Sequence, residues 1–203
     1  MLKNISNLGD AALYCDFGIQ VNKATNLEVI KYFNTIREKK IKGINNLTPS
    51  YNKLIISFDL RVTNFSEIKN KIENLDTTIE QNKNNKKIEV PVCCEENFAL
   101  DKSRLEKKLN LSYQEILTKF FDKEYFCYMT GFIAGMPFLG DIDENLRTQR
   151  LETPRVKVPQ GSVGITEQFA NIYTFDSPGG WNIIGNTPLK VFDENKELSL
   201  IHI

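Results

Sequence analysis

The sequence has little histidine and no paired cysteines, which excludes two common kinds of active site. Its 203 residues contain a single histidine, His202, and four cysteines without CxxC spacing. Zinc sites are built from histidine and cysteine ligands, and Ser-His-Asp catalysis needs a histidine base. We therefore expect neither a zinc site nor such a triad. The adjacent Cys93 and Cys94 have poor geometry for a structural disulfide, so the thiols are expected to be reduced.

An excess of either charge is also lacking, because 26 Lys and Arg residues balance 26 Asp and Glu residues. Binding nucleic acid by phosphate neutralisation needs surplus cations, so no such partner is expected, although a local basic patch stays open. No apolar run approaches the ~20 residues of a membrane span, and the first residues lack the pattern of a signal peptide. These absences predict a cytoplasmic protein that does not enter the membrane.

Glycine and proline are scarce in the first part of the chain and frequent in the second. Eight of the eleven glycines lie between Gly131 and Gly185, and six of the seven prolines lie between Pro91 and Pro188. Glycine allows positive φ, and proline fixes φ and removes a donor, so both mark turns. Short apolar runs between such turns predict an all-β barrel or sandwich in this part.

The first ~90 residues alternate strand and helix patterns. Predicted strands lie at 11–18, 53–60 and 88–94, and predicted helices begin after Thr25 or Asn26 and at Ser66. Helices on one face of a sheet form a small α/β layer. The polar stretch 76–87 either frays out of the second helix or forms a solvated connection, and we set the domain boundary at its end, between residues 87 and 88.

Beyond this boundary the sequence predicts two short helices before the glycine-rich part begins. Ser112 and Glu115 form a capping box at the start of the second helix. The segment 124–130 then has strand character, and 198–203, which includes His202, is expected to be the last strand.

Several motifs at fixed order and spacing resemble one family. They are GFIAGMPFLG (131–140), VPQGSVGI (158–165), SPGGW (177–181) and IIGNTPLKVFD (183–193), with Gly9-Asp10 near the start. Together they resemble the family of the 5-oxoprolinase B subunit (PxpB), which includes the histidine-kinase inhibitor KipI and subunit 1 of allophanate hydrolase. The similarity spans nearly the whole chain.

The resemblance implies an α+β fold in two domains: a small ferredoxin-like α/β domain (1–87) and a cyclophilin-like β-barrel (88–203). It also implies a component of an ATP-dependent enzyme that opens 5-oxo-L-proline to L-glutamate, acting with the C subunit and also with the A subunit. ATP with Mg²⁺ is expected at the level of the complex, with no metal bound by this chain. Two alternatives stay open: a non-catalytic KipI-like kinase inhibitor and a protein like allophanate hydrolase subunit 1.

Arg150 and Arg155 are the predicted catalytic residues, because arginine binds carboxylate and phosphate groups bidentately. Exposed arginines in surface pairs are the alternative. The other candidates are expected to shape a cleft: Phe132, Gly135, Pro159, Gly161, Ser162, Val163, Gly164, Gln168, Ser177, Pro178, Gly179, Gly180 and Trp181. The glycines could instead be strand corners, and the aromatic residues could be core.

The chain departs from the family pattern at several polar positions. A family histidine aligns with Phe120, a tyrosine with Phe138, and a glutamine and a threonine with Phe169 and Ala170. The first of two Pro-Arg pairs survives only as Gln149-Arg150, while Gln168 could replace the lost amide. We therefore expect an altered cleft on a preserved fold. An acidic cluster at Asp141, Asp143 and Glu144 could contact a metal, but an exposed turn is the simpler interpretation.

Overall fold

The structure, a computed structural model, describes residues 2–77 and 87–193. The chain divides into two units, residues 1–84 and 85–203. Most of the polar stretch and the predicted last strand with His202 lie outside the described residues. No helix in the described part of the chain is long and apolar enough to cross a membrane.

Unit 1 contains four strands and two helices in the order ββαββα. They are β1 (Asn4–Asn7), β2 (Ala12–Asp16), α1 (Lys23–Lys39), β3 (Ile44–Pro49), β4 (Lys53–Phe58) and α2 (Phe65–Glu73). The sheet is antiparallel throughout, with strand order β1-β2-β4-β3. Ferredoxin-like domains run βαββαβ, an order that would result if β1 were moved to the end of this unit.

The core of unit 1 follows from alternation along the two central strands. Leu13 and Cys15 of β2 and Leu54 and Ile56 of β4 are buried, because successive side chains point to opposite faces. They pack in one cluster with Val29 and Ile36 of α1 and with Ile68 and Ile72 of α2. The predicted strands at 11–18 and 53–60 and both predicted helices are confirmed.

The helix starts of unit 1 differ in detail from the sequence prediction. The caps are Asn22, which accepts from Thr25 N at 2.9 Å, and Asn64, which accepts from Glu67 N at 3.0 Å. Both helices therefore begin slightly earlier than the predicted positions.

The predicted strand 88–94, at the start of unit 2, is wrong. Within it only Cys93 forms an isolated bridge, with Asn186. Proline removes a donor from this segment, so a regular ladder is not sustained there.

Unit 2 contains two helices, a 3₁₀ turn and seven strands among the described residues. They are α3 (Lys102–Leu109), α4 (Tyr113–Phe121), β5 (Phe126–Thr130), β6 (Pro137–Gly140), the turn Glu144–Leu146, β7 (Arg155–Val158), β8 (Ser162–Thr166), β9 (Phe169–Ile172), β10 (Ser177–Gly179) and β11 (Asn182–Asn186). The two predicted helices and the capping box are confirmed.

The strands of unit 2 form two antiparallel sheets in the described part of the chain. One has five strands in the order β11-β8-β9-β6-β5, and β7 pairs with β10 in the other. The expected closed barrel is not found here, because β5 and β11 end the larger sheet and do not pair with each other. Glycine and proline indicate local turns. Closure of a barrel depends on pairing between distant strands, which these residues do not predict.

The five-stranded sheet buries apolar side chains on both faces. On one face Val163, Ile165 and Ala170 pack with residues of α3 and α4. Strand alternation places Tyr173 and Ile183 on the opposite face, where they pack with Trp181, Met136 and Val158 in a smaller cluster. The predicted site residues Trp181 and Gly164 lie on this second face.

The capping box gives a direct test of local stability. We expect Ser112→Ala to lower the free energy of unfolding by about 1 kcal/mol, because Ser112 Oγ accepts from Glu115 N and Glu115 accepts from Ser112 N. Urea denaturation measures the change. Ser103→Ala is the matched control, because Ser103 is an exposed residue of α3, and a change within about 0.5 kcal/mol is expected. Equal effects of the two substitutions would contradict the capping role.

Candidate functional site

The site centres on Arg155 at the start of β7 and on the buried carboxylate of Asp101. Arg155 Nη2 donates to Asp101 Oδ1 at 2.7 Å. Asp101 is only 4% exposed, and its Oδ2 accepts from Ile183 N at 2.7 Å. Asp101 N in turn donates to Ile183 O at 3.1 Å. A residue just before α3 therefore orients a guanidinium on β7 while being held by β11.

Part of the guanidinium has no partner. Arg155 Nη1 is buried without a hydrogen bond among the described residues, as are Asn171 Oδ1 and Ser177 Oγ. Buried polar atoms are almost always paired, so each exception calls for an explanation. Ser177 lies on β10, which pairs with the strand of Arg155. Within unit 2 the unpaired atoms therefore concentrate around the second face of the sheet.

Tyr173 connects both predicted arginines to this region. Burial raises the pKa of its hydroxyl, while hydrogen bonds with Asn171 and with the Trp181 backbone oppose the shift. The charges of Arg155 and Arg150 also oppose it, so both arginines are close enough to act on this hydroxyl. Because the raised pKa keeps Tyr173 neutral at neutral pH, it does not cancel their charge.

The loop that carries Arg150 is held by polar contacts from Asn182 and Arg104. Asn182 Nδ2 donates to Gln149 O at 3.0 Å, and Arg104 Nη2 donates to Arg150 O at 3.5 Å. Arg104 Nε also donates to Asn182 Oδ1 at 3.0 Å. The Arg150 side chain is exposed, and it forms no ion pair with any residue that the structure describes.

Two of the signature glycines are required by close packing. A Cβ on Gly161, whose φ is +82°, would lie 2.3 Å from Thr187 O. A Cβ on Gly179 would lie 2.2 Å from the Tyr173 hydroxyl. Gly179 thus admits the tyrosine to the site, whereas Gly161 serves the turn between β7 and β8. The alternative that these glycines are structural corners holds for Gly161.

The remaining cleft candidates separate into three groups. Trp181 and Gly164 lie on the second face, where Trp181 packs edge-on against Phe138 at 5.7 Å. Val163 packs with the helices on the opposite face and cannot line this cleft. Phe132, Gly135 and Pro159 lie in turns between strands. Ser162 is buried at the start of β8, and Pro178 is exposed in β10.

Phe132 does not wall a cleft as the sequence suggested. It is 71% exposed and adopts φ +68°, a left-handed conformation that bulky residues rarely take. The neighbouring Gly135 has φ +74° in the same turn. The turn is tied to the sheet by Thr174 Oγ1, which donates to Ala134 O at 2.6 Å.

Gln168 and the acidic cluster are engaged locally. The Gln168 amide donates to Asp141, which also accepts from the Tyr128 hydroxyl at 2.9 Å. Asp143 accepts from Asn145 N at 2.8 Å and caps the 3₁₀ turn. Within residues 2–77 and 87–193, no group of three or more histidine, cysteine or carboxylate side chains could hold a metal ion.

Sequence reasoning missed four residues of this region, Asp101, Asn171, Tyr173 and Asn182, of which Asp101 pairs with Arg155 and Asn182 holds the Arg150 loop. The first reads as an ordinary residue before a helix, and the two asparagines lie inside strands, where polar residues are unfavourable. Buried asparagine in a strand was the available signal, because it requires a partner that sequence alone does not reveal.

These features define an α+β protein in which two arginines lie close to the buried Tyr173 of unit 2. The chain belongs to the family described as "Carboxyltransferase domain, subdomain C and D", whose model matches residues 3–201. In sequence it is 31% identical over 200 residues to the B subunit of the 5-oxoprolinase of Bacillus subtilis, covering 93% of this chain and 83% of that protein. The relationship to the 5-oxoprolinase B subunit is thereby confirmed.

Of two further relatives, one matches only part of this chain and the other is a longer protein. The 5-oxoprolinase B subunit of Haemophilus influenzae is 43% identical over 109 residues, which is 54% of this chain and 51% of that protein. The crystal structure of TTHA0988 superimposes with a TM-score of 0.84 and 25% identity, covering 94% of this chain but 38% of that one. This chain therefore corresponds to about two fifths of TTHA0988.

A pair of glycine substitutions tests whether Gly161 is required by packing. We expect Gly161→Ala to lower the free energy of unfolding by roughly 2–4 kcal/mol, because left-handed strain adds to overpacking against Thr187. Gly180→Ala is the control, since its Cβ would meet no atom closer than 3.6 Å, and a change under about 1 kcal/mol is expected. Thermal or urea unfolding measures both. A Gly161→Ala protein as stable as wild type would show that this glycine is not a packing requirement.

Proposed function

We propose that this chain is an active B subunit of an ATP-dependent 5-oxoprolinase, which opens 5-oxo-L-proline to L-glutamate. The observation that carries the proposal is the half-satisfied guanidinium of Arg155, with one nitrogen on Asp101 and the buried Nη1 unpaired. The relationship to the 5-oxoprolinase B subunit names the substrate. Neither the KipI-like inhibitor nor the allophanate hydrolase alternative is favoured by these relatives.

The charges of the site suit a small carboxylate. Asp101 balances the charge of Arg155, whereas Arg150 has no ion pair in the described chain and supplies a net positive charge. 5-Oxoproline carries one carboxylate beside its cyclic amide. Arg150 would attract this carboxylate, and Arg155, already oriented by Asp101, would donate to it with little loss of side-chain entropy.

No site for ATP or magnesium is identified among the described residues. The sequence has no GxxxxGK[ST] loop, and the described carboxylates form no metal-holding group. We therefore assign ATP and Mg²⁺ to the complex formed with partners that resemble the C and A subunits. This chain contributes substrate positioning, and its cytoplasmic location belongs to the same proposal.

The names of the two domains remain part of the proposal. Unit 1 corresponds to the ferredoxin-like domain of the family in a permuted strand order, and unit 2 to its cyclophilin-like domain. The candidate site lies wholly within unit 2.

The test is reconstitution with partners from the same genome. Proteins that resemble the C and A subunits are co-expressed with this chain and purified, and ATP hydrolysis is measured with and without 5-oxoproline. Hydrolysis that depends on both 5-oxoproline and this chain is the expected result. A complete complex without such turnover would overturn the catalytic proposal.

Within an active complex, Arg150→Gln should lower kcat/KM for 5-oxoproline about ten- to a hundredfold. The reason is the loss of one charge-assisted contact, worth roughly 1.5–3 kcal/mol. Arg147→Gln is the matched control, because Arg147 is exposed and pairs with Glu144 at 3.8 Å outside the site. Steady-state kinetics measure kcat/KM for both variants. Equal losses in Arg150→Gln and Arg147→Gln would show that Arg150 does not bind the substrate.

A further inference from the structure

A groove on unit 1 combines an apolar floor with a basic rim, and the proposed catalysis does not use it. Two adjoining cavities of about 580 and 550 Å³ share Ile41 and together form this basic groove. Its cations come from the end of α1, the turn that follows and the end of α2: Arg37, Lys39, Lys40, Lys42 and Lys71. All five are exposed.

These cations are not paired with carboxylates in the described chain, although Glu38 stands between Arg37 and Lys39 in the sequence. None forms an ion pair with a described residue, and no carboxylate lines either cavity. Arg37 contacts only neutral groups, with Nη2 donating to Asn34 Oδ1 and the guanidinium lying over the Phe33 ring. A protein of zero formal net charge thus concentrates positive charge at one place.

Helix dipoles explain part of this concentration. Basic residues in the last turn of a helix are stabilising, which accounts for Arg37, Lys39 and Lys71. Lys42 lies beyond both helices. Lys40 is the C-cap of α1 with φ 45°, a left-handed position where glycine or asparagine costs less. The dipole also favours Lys40 at the C-cap of α1, so among the five cations it leaves Lys42 unexplained.

The groove contains apolar side chains beside the polar Asn45, Asn46, Asn70 and Asn74. Ile41, Ile44 and Leu47 are partly buried and pack on the core of unit 1, as does Leu75 in the first cavity. A floor of this kind beside unpaired cations complements a segment that is acidic on one side and apolar on the other. Nucleic acid fits less well, because the chain as a whole has no surplus of cations.

We propose that the basic groove binds an acidic, amphipathic segment of a partner protein. Resting on the proposed function, the partner is another component of the 5-oxoprolinase. Charge complementarity supplies orientation and association rate, and the apolar floor supplies the contact area.

The first experiment needs no partner. A fluorescein-labelled peptide of alternating glutamate and leucine is titrated with the full chain, and fluorescence anisotropy is recorded. We expect Lys39→Glu/Lys42→Glu to weaken binding roughly tenfold or more, since two attractions become repulsions. The control Lys107→Glu/Lys108→Glu makes the same charge change at the exposed end of α3 and should stay within about twofold.

Several outcomes would overturn the proposal. These are no binding by the wild type, equal weakening in both double variants, and tighter binding of a DNA duplex or of anionic phosphatidylserine vesicles than of the peptide. Circular dichroism of each variant confirms that the fold is retained.

Co-purification with the other components of the enzyme separates this inference from the proposed function. If Lys39→Glu/Lys42→Glu assembles like wild type into an active complex, the groove inference fails and the function stands. If the wild-type complex forms without turnover and the same variant loses its partner, the proposed function is wrong and the proposed role of the groove is supported. Loss of assembly in this variant but not in the control supports both the groove and its occupant.

Discussion

One buried carboxylate holds the candidate site of unit 2 together. Asp101 accepts from Arg155 and from the Ile183 backbone, while its own N–H returns a hydrogen bond to Ile183. Taking a carboxylate out of water is costly and is offset only by a charged partner and full hydrogen bonding. The position of β7 relative to α3 and β11 therefore depends on this charge being satisfied, and so does the direction of the guanidinium.

The same constraint explains why the site is incompletely paired. Arg155 meets Asp101 through one terminal nitrogen, which leaves Nη1 buried without a partner in the described chain. An unsatisfied buried donor costs roughly 1–3 kcal/mol, and Asn171 and Ser177 each add an unpaired atom nearby. Neutral Tyr173 offers no charge to compensate. A carboxylate ligand would satisfy the arginine, so the local loss of stability is consistent with a prepared binding site.

Sequence reasoning predicted what depends on local pattern and failed where distant residues decide. Alternation at Leu54 and Ile56 and the capping box at Ser112 contain their structural cause within a few residues, and these elements were predicted. Strands β1 and β3 are polar and lie at the edges of their sheet, so their pairing is set by β2 and β4. Arg150 and Arg155 could be proposed as site residues from their chemistry. Asp101, 54 positions away from Arg155 in sequence, could not, because a buried ion pair leaves no local signature.

The structure also changes the meaning of the departures from the family pattern. Phe120 and Ala170 lie in the cluster between the sheet and its helices, on the face opposite Tyr173. Substitution there alters packing without removing a group from the cleft. Phe138 and Phe169 do pack on the second face, around Trp181. The proposed cleft is therefore more apolar at its edge than the family pattern, and both arginines proposed to bind an anion are present. Because a drier site strengthens the attraction between an arginine and a carboxylate, these substitutions are compatible with the proposed binding of 5-oxoproline.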